Sequence, residues 1–225
     1  MMKARQYNRR ILNGETKPHV YVIQESNSIN RDQMQYFGAG MDEMQRNVAL
    51  LQIQGLLDTF IDAKEYGSIL NVDSYDWELL RQFVDKLDLT GQLSFDMVGV
   101  DDTQSQLYLL VEIGAVLARK YDVVVTNPPY MGSGSMGYKL SEYVRVNFPN
   151  SKSDLFACFI DKSIKLTSET GFTSMVTMHS WMFLSTFEKL REYIVRHSTI
   201  NNVVHLGMEA FDDIIGKVVS TVAFV

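Results

Sequence analysis

Cysteine is nearly absent. A single one, Cys158, occurs in 225 residues, which excludes an internal disulfide framework and a cysteine-built zinc cluster within the chain. Long apolar runs are missing too. No stretch approaches the roughly 20 residues of a membrane span, and the opening Met1-Met-Lys-Ala-Arg lacks the apolar segment of a secretory signal. These absences point to an intracellular chain with no membrane partner. Positive charge is in short supply, with 21 Lys and Arg against 27 Asp and Glu for a net −6. That argues against a surface coated in basic groups, although nucleic-acid binding needs only one positive face. There is no internal repeat and no low-complexity tract. At 46% hydrophobic and 21% charged residues, the composition is that of an ordinary globular protein with one sizeable core.

Proline is scarce as well, with four in all, yet two stand side by side in Tyr121-Asp-Val-Val-Val-Thr-Asn-Pro-Pro-Tyr130. Three consecutive β-branched valines predict a short strand buried on both faces of a parallel sheet. Each proline fixes φ, lacks an N–H and restricts its predecessor to extended conformations. The strand therefore ends in a rigid corner at its carboxyl end, where open α/β sheets place ligands.

Around this corner the chain reads as two unlike halves. Residues 1–12 resemble the end of a helix, and His19–Gln24 alternates as a strand does. Helical spacing predicts a long helix from Met41 to about Lys64, with Met44, Val48, Leu51, Ile53, Leu56, Leu57 and Phe60 apolar. A shorter helix spans Trp77–Leu87, with Asp73 or Ser74 as cap, and a third spans Asp102–Lys120. After the corner comes a Gly- and Ser-rich loop, 131–153. A helix capped by Ser153 or Asp154 follows, with a stripe of Leu155, Phe156, Phe159, Ile160 and Ile164. Glu169-Thr-Gly171 is read as a turn into a strand, Phe172–Met178. Phe187–His197 reads as a helix, and Asn202–Leu206 and Val218–Val225 as strands. The alternation predicts an α/β fold with a largely parallel sheet. Residues 1–118 form a mainly helical segment and 119–225 the half that carries the corner.

Asn-Pro-Pro-Tyr suits a planar exocyclic amine. The Asn127 side chain offers a carbonyl acceptor, and the Pro128 carbonyl, fixed by its ring, a second. Two acceptors aimed at the two N–H bonds draw the nitrogen toward tetrahedral geometry and free its lone pair without a strong base. Tyr130 supplies a flat face for the heterocycle, worth about 1–3 kcal/mol per base. A base in a duplex must first be flipped out.

Asp122-Val-Val-Val-Thr-Asn127-Pro-Pro-Tyr130 resembles the catalytic motif of S-adenosylmethionine-dependent methyltransferases acting on adenine N6. The likeness continues through Ser151-Lys-Ser-Asp-Leu-Phe-Ala-Cys-Phe-Ile160, His179-Ser-Trp-Met-Phe-Leu-Ser185 and Phe187-Glu-Lys-Leu-Arg191 to Val225. Together these resemble the PglX-like adenine-specific DNA methyltransferases of BREX-type phage-defence systems. The resemblance implies a Rossmann-like methyltransferase fold and Asn127, Pro128, Pro129 and Tyr130 as catalytic residues. It implies double-stranded DNA as substrate, other phage-defence proteins as possible partners, and a bacterial or archaeal cytoplasm. Such enzymes hold S-adenosylmethionine with a Gly-rich loop and an acidic residue upstream of the catalytic motif, and neither is found upstream of Asn127. The expectation is a fragment with a partial fold and an incomplete cofactor pocket, inactive alone. Methylation of RNA or of a protein glutamine, which shares the motif, is the alternative chemistry; a non-catalytic DNA-binding module is another.

Other signals compete. Gly132-Ser-Gly-Ser-Met-Gly137 matches G-x-G-x-x-G, but a dinucleotide site needs a strand running into the first glycine and a helix opening at the third. A lid-like loop is expected instead. Its Lys139 and Arg145, with Lys152, can touch phosphates or simply be solvated. His179 is expected at the same sheet edge as Asn127, as a substrate contact or a packed histidine, and His205 as structural. Phe211 is assigned, by the resemblance, to packing on the flipped base from its other side; it equally suits a hydrophobic anchor. Cys158 reads as a small hydrophobe, and the methionines as core filler rather than a cofactor box. No metal site is expected.

Overall fold

The computed structural model describes residues 18–87, 98–207 and 220–225; the residues 1–12 read as a helix end, and Phe211, lie outside them. The first half is helical. Helix α1 (Glu43–Thr59) starts where the Asp42 carboxylate accepts from Met44 N and Gln45 N, and it buries Ala49, Ile53, Leu56 and Leu57. Met44 and Leu51, expected on the apolar stripe, are 77% and 71% exposed. The helix stops short of Lys64 because Asp62 adopts a left-handed φ of 55°. For a residue with a Cβ that conformation costs about 1–2 kcal/mol. Reciprocal bonds with Asn27, each 2.8 Å, hold it, and a 2.9 Å ion pair with Lys139 adds to them. These partners also lower the Asp62 pKa, Lys139 most strongly.

A single-turn helix α2 (Ala63–Tyr66) follows, then α3 (Trp77–Asp85), whose cap is Asp76 rather than Asp73 or Ser74. Helix α4 (Val100–Ala118) completes a cluster in which Phe37, Ile53, Leu56, Phe60, Leu80, Phe83, Leu107 and Val111 are fully buried. A Cβ on Gly114 would sit 2.9 Å from Leu56 Cδ1 and 3.0 Å from the Trp77 ring, so a bare backbone lets α4 meet both helices. The expected strand at His19–Gln24 is irregular in the structure. An alternating pattern forms a strand only where a neighbour supplies the ladder, and no described segment pairs with it.

The second half is α/β: β1 (Tyr121–Thr126), α5 (Tyr138–Asn147), α6 (Leu155–Leu166), β2 (Thr167–Met178), α7 (Glu188–His197), β3 (Val203–Gly207) and β4 (Thr221–Phe224). The sheet order is β1-β2-β4-β3. β1 and β2 are parallel, and β4 is antiparallel to both neighbours. The sheet is therefore mixed rather than largely parallel. A parallel return needs a crossover, usually a helix, and the sequence between β3 and β4 has no helical pattern. The Glu169–Gly171 turn proves to be a bulge inside β2, where the register jumps from Tyr121↔Thr167 to Val123↔Phe172. A Cβ on Gly171 would lie 2.8 Å from the Asp122 carbonyl oxygen, so the bulge closes only around glycine.

Helices α6 and α7 cover one sheet face through Phe156, Ile160, Leu190, Ile194, Met175, Val222 and Phe224. The opposite face is open: Val123, Val125, Phe172 and Val204 are 59%, 70%, 52% and 56% exposed. β1 is thus only partly buried on one face and open on the other, not buried on both, and its outer edge pairs with no described strand. Among the described residues, no helix is long and apolar enough to cross a membrane.

Candidate active site at the Asn127–Tyr130 corner

β1 and β2 run the same way, with Thr126 beside Met175, so Asn127 and His179 leave the sheet at one edge. The four corner residues divide cleanly by burial: Asn127 and Pro129 are exposed, Pro128 is buried and Tyr130 is half-buried. A buried proline anchors the corner and leaves the Asn127 amide facing solvent. Tyr130 is fixed from two sides. Its hydroxyl donates to the Val176 carbonyl at 3.4 Å, and its ring meets Phe156 edge-on at 6.1 Å and 83°. Burial raises its pKa, so it stays a neutral aromatic surface.

Asp154, expected only as a helix cap, has a second role. One carboxylate oxygen accepts both from Phe156 N, at the start of α6, and from Met131 N, directly after the corner. Leu155 N returns a 2.9 Å bond to Met131 O. The corner is thereby clipped to the helix end. Burial raises the Asp154 pKa against the lowering effect of these N–H donors. The cap signature was readable in the sequence, but the contact to Met131 spans 23 residues and left no local signal.

His179 opens the short turn after β2, and its amide donates to Ser220 O at 3.0 Å. Its ring lies 5.3 Å from that of His205 and 5.7 Å from that of Phe183. His179 Nδ1 is buried without a partner. His205, read as structural, thus joins the same edge. Trp181 belongs to the core, with Nε1 donating to Thr177 Oγ1 at 3.1 Å. Cys158 is fully buried, its thiol pushed up to about 12 by burial.

The glycine string is not an open lid. Its third glycine, Gly137, immediately precedes α5, contrary to the expectation of no helix there. The dinucleotide reading still fails, because β1 ends at Thr126, six residues before Gly132. Leu140 and Val144 of α5 bury against Ile69 and Phe148. A cleft of about 1060 Å³ opens at the opposite, amino edge of the sheet, lined by Lys120, Lys165 and Arg196. Each of these cations already has a partner: the Lys165 carbonyl, Asp161 and Glu192 respectively.

S-adenosylmethionine is not accommodated by the described residues alone. Among the described residues, β1 has a bare outer edge and an open face, and no strand with a Gly-rich turn lies beside that edge.

The sheet thus offers Asn-Pro-Pro-Tyr at the carboxyl end of β1, where the sequence placed it. The chain belongs to the Eco57I restriction-modification methylase family, whose model matches residues 34–211. It is 38% identical to the adenine-specific methyltransferase PglX of Lacticaseibacillus casei and 34% identical to the adenine-specific methyltransferase BrxX of Escherichia coli. Both alignments cover all of this chain but only 18% and 20% of those relatives. A solved structure assigned to the class I S-adenosylmethionine-dependent methyltransferases, from Listeria monocytogenes, matches at TM-score 0.39 and 17% identity. That match covers 52% of this chain and 40% of the other, a likeness too slight to carry weight.

Proposed function

We propose that this chain is the base-holding part of a longer DNA adenine N6-methyltransferase that uses S-adenosylmethionine and serves phage defence in the cytoplasm. The observation that carries this reading is the corner itself: an exposed Asn127 on a buried Pro128, beside a Tyr130 fixed in its plane. Asn127 Oδ1 and the Pro128 carbonyl accept the two N–H bonds of the flipped adenine's amine, and Tyr130 stacks on its ring. His179 contacts the substrate from the β2 edge, and Phe211 packs on the base from its other side. The open face and unpaired edge of β1 support the view that further strands and helices of a longer polypeptide complete the sheet and supply the methyl-donor pocket. The helical residues up to 118 act as a scaffold for the corner.

The test is methyl transfer by the full-length protein carrying Asn127→Ala or Tyr130→Ala. Asn127 is exposed, so its truncation leaves the core untouched; Tyr130 packs on Phe156 and makes one long hydrogen bond, so circular dichroism first establishes that Tyr130→Ala is folded. We expect a loss of at least about 100-fold, comparable to removing one preorganised group from an active site. Retained N6 methylation in either variant contradicts the assignment.

A further inference from the structure

Among the described residues, the helical half meets the corner's supports at the Asp62–Lys139 ion pair and, more extensively, at a strap of residues 66–71. Ile69 is fully buried in a cluster with Leu140, Val144 and Phe148 and with Leu155 and Cys158 of α6. Met131, the residue after Tyr130, packs on that same cluster. Tyr66 stacks on Tyr143 of α5 at 4.2 Å, and Asn71 N donates to the Tyr143 hydroxyl at 2.7 Å. From α6, Lys162 reaches across. Its Nζ donates to Leu70 O at 2.8 Å and to Asn71 Oδ1 at 3.3 Å.

Lys162 is only 5% exposed, and both its acceptors are neutral. The adjacent carboxylate, Asp161, is engaged by Lys165 and Ser151. Burying an ammonium group against neutral acceptors is costly, and a methionine of similar length would fill the space without that cost. Stability does not account for a lysine here. What lysine adds is a directed grip on the strap's backbone.

We propose that Lys162 is a positioning residue for the catalytic corner, seating the 66–71 strap and through it Met131 and Asn127–Tyr130. Its part in catalysis rests on the function proposed above; its structural coupling does not. Small displacements of a positioned group cost rate steeply.

The coupling is read by amide hydrogen exchange on the full chain with Lys162→Met. The amides of Met131 and Leu155 lose about tenfold protection, one hydrogen bond's worth, while those of Leu56 and Phe83 keep theirs. Unchanged protection at Met131, or an even loss across the molecule, overturns the proposal. Asn71→Ala, which removes one acceptor and leaves Leu70 O, gives the same pattern at smaller amplitude and serves if Lys162→Met does not fold. In the full-length protein, Lys162→Met lowers kcat about tenfold with KM for DNA unchanged; an unchanged kcat overturns the catalytic part. A wild-type protein that transfers no methyl group contradicts the proposed function instead, and leaves the exchange result standing.

Discussion

The helical half and the sheet half of this molecule solve burial in opposite ways. The helices around Ile53, Leu56, Phe83 and Leu107 enclose one another, and those side chains have no exposure at all. The sheet buries a single face, while Val123 and Val125 of β1 remain 59% and 70% exposed. The described helices enclose a closed core; the sheet carries the Asn127–Tyr130 corner with one of its faces uncovered. The lesson is that the corner's local geometry does not depend on cover over the open sheet face, because Pro128, Phe156, Val176 and Asp154 fix it from within.

This contrast can be broken by mutation. The largest effect is expected for Phe83→Ala in the helical core, about 3–5 kcal/mol of stability by chemical denaturation. The same method applied to Val125→Ser on the open sheet face should show no more than about 0.5 kcal/mol in the 225-residue chain. In a full-length protein that covers this face, Val125→Ser should cost about 1 kcal/mol or more. An equal, small effect in both contexts would leave the face uncovered.

The next effect concerns pH. Burial, with the charges of Lys165 and Lys120, lowers the Lys162 pKa to about 8, against an ordinary 10.5; Asp161 works in the other direction. Between those values the unfolded chain holds a proton that the folded chain has released, so stability should rise as pH rises from 8 toward 10.5, by at most about 3 kcal/mol. Lys162→Met should flatten the rise. Cys158, pushed up to about 12 from 9, opposes it above pH 9, and Tyr143, also raised to about 12, opposes it above pH 10. The measurement therefore belongs in a Cys158→Ala background, read below pH 10.

A smaller change is expected for Asp154→Ala, which removes a helix cap and the bond to Met131 N. Its cost should be about 1–2 kcal/mol, with a fall in methyl transfer out of proportion to it. An activity loss no larger than the unfolded fraction would mean the clip does not position the corner.

Much of this was legible locally. The valine run and paired prolines marked β1 and its end, and Ser153 or Asp154 the start of α6, where Asp154 proves to be the cap, because caps and proline constraints act within a few residues. The rest depended on distant partners. Helix α5 was invisible in a Gly- and Ser-rich stretch, since its burial rests on Leu140 and Val144 meeting Ile69 and Phe148. The alternating His19–Gln24 segment found no neighbouring strand, and the β4 direction followed from chain reversal rather than from any pattern within it. The approach of His205 to His179 spans separate strands. The corner's place at the end of β1 could be read from sequence, whereas the bond from Met131 N to Asp154 could not.

The most direct measurement is nucleoside analysis of DNA incubated with the full-length protein and S-adenosylmethionine, wild type beside Asn127→Ala, with RNA and protein substrates in parallel. N6-methyladenine in DNA is expected for the wild type and none for Asn127→Ala. N6-methyladenine formed by Asn127→Ala, or wild-type methylation confined to RNA or protein glutamine, would contradict the proposed function.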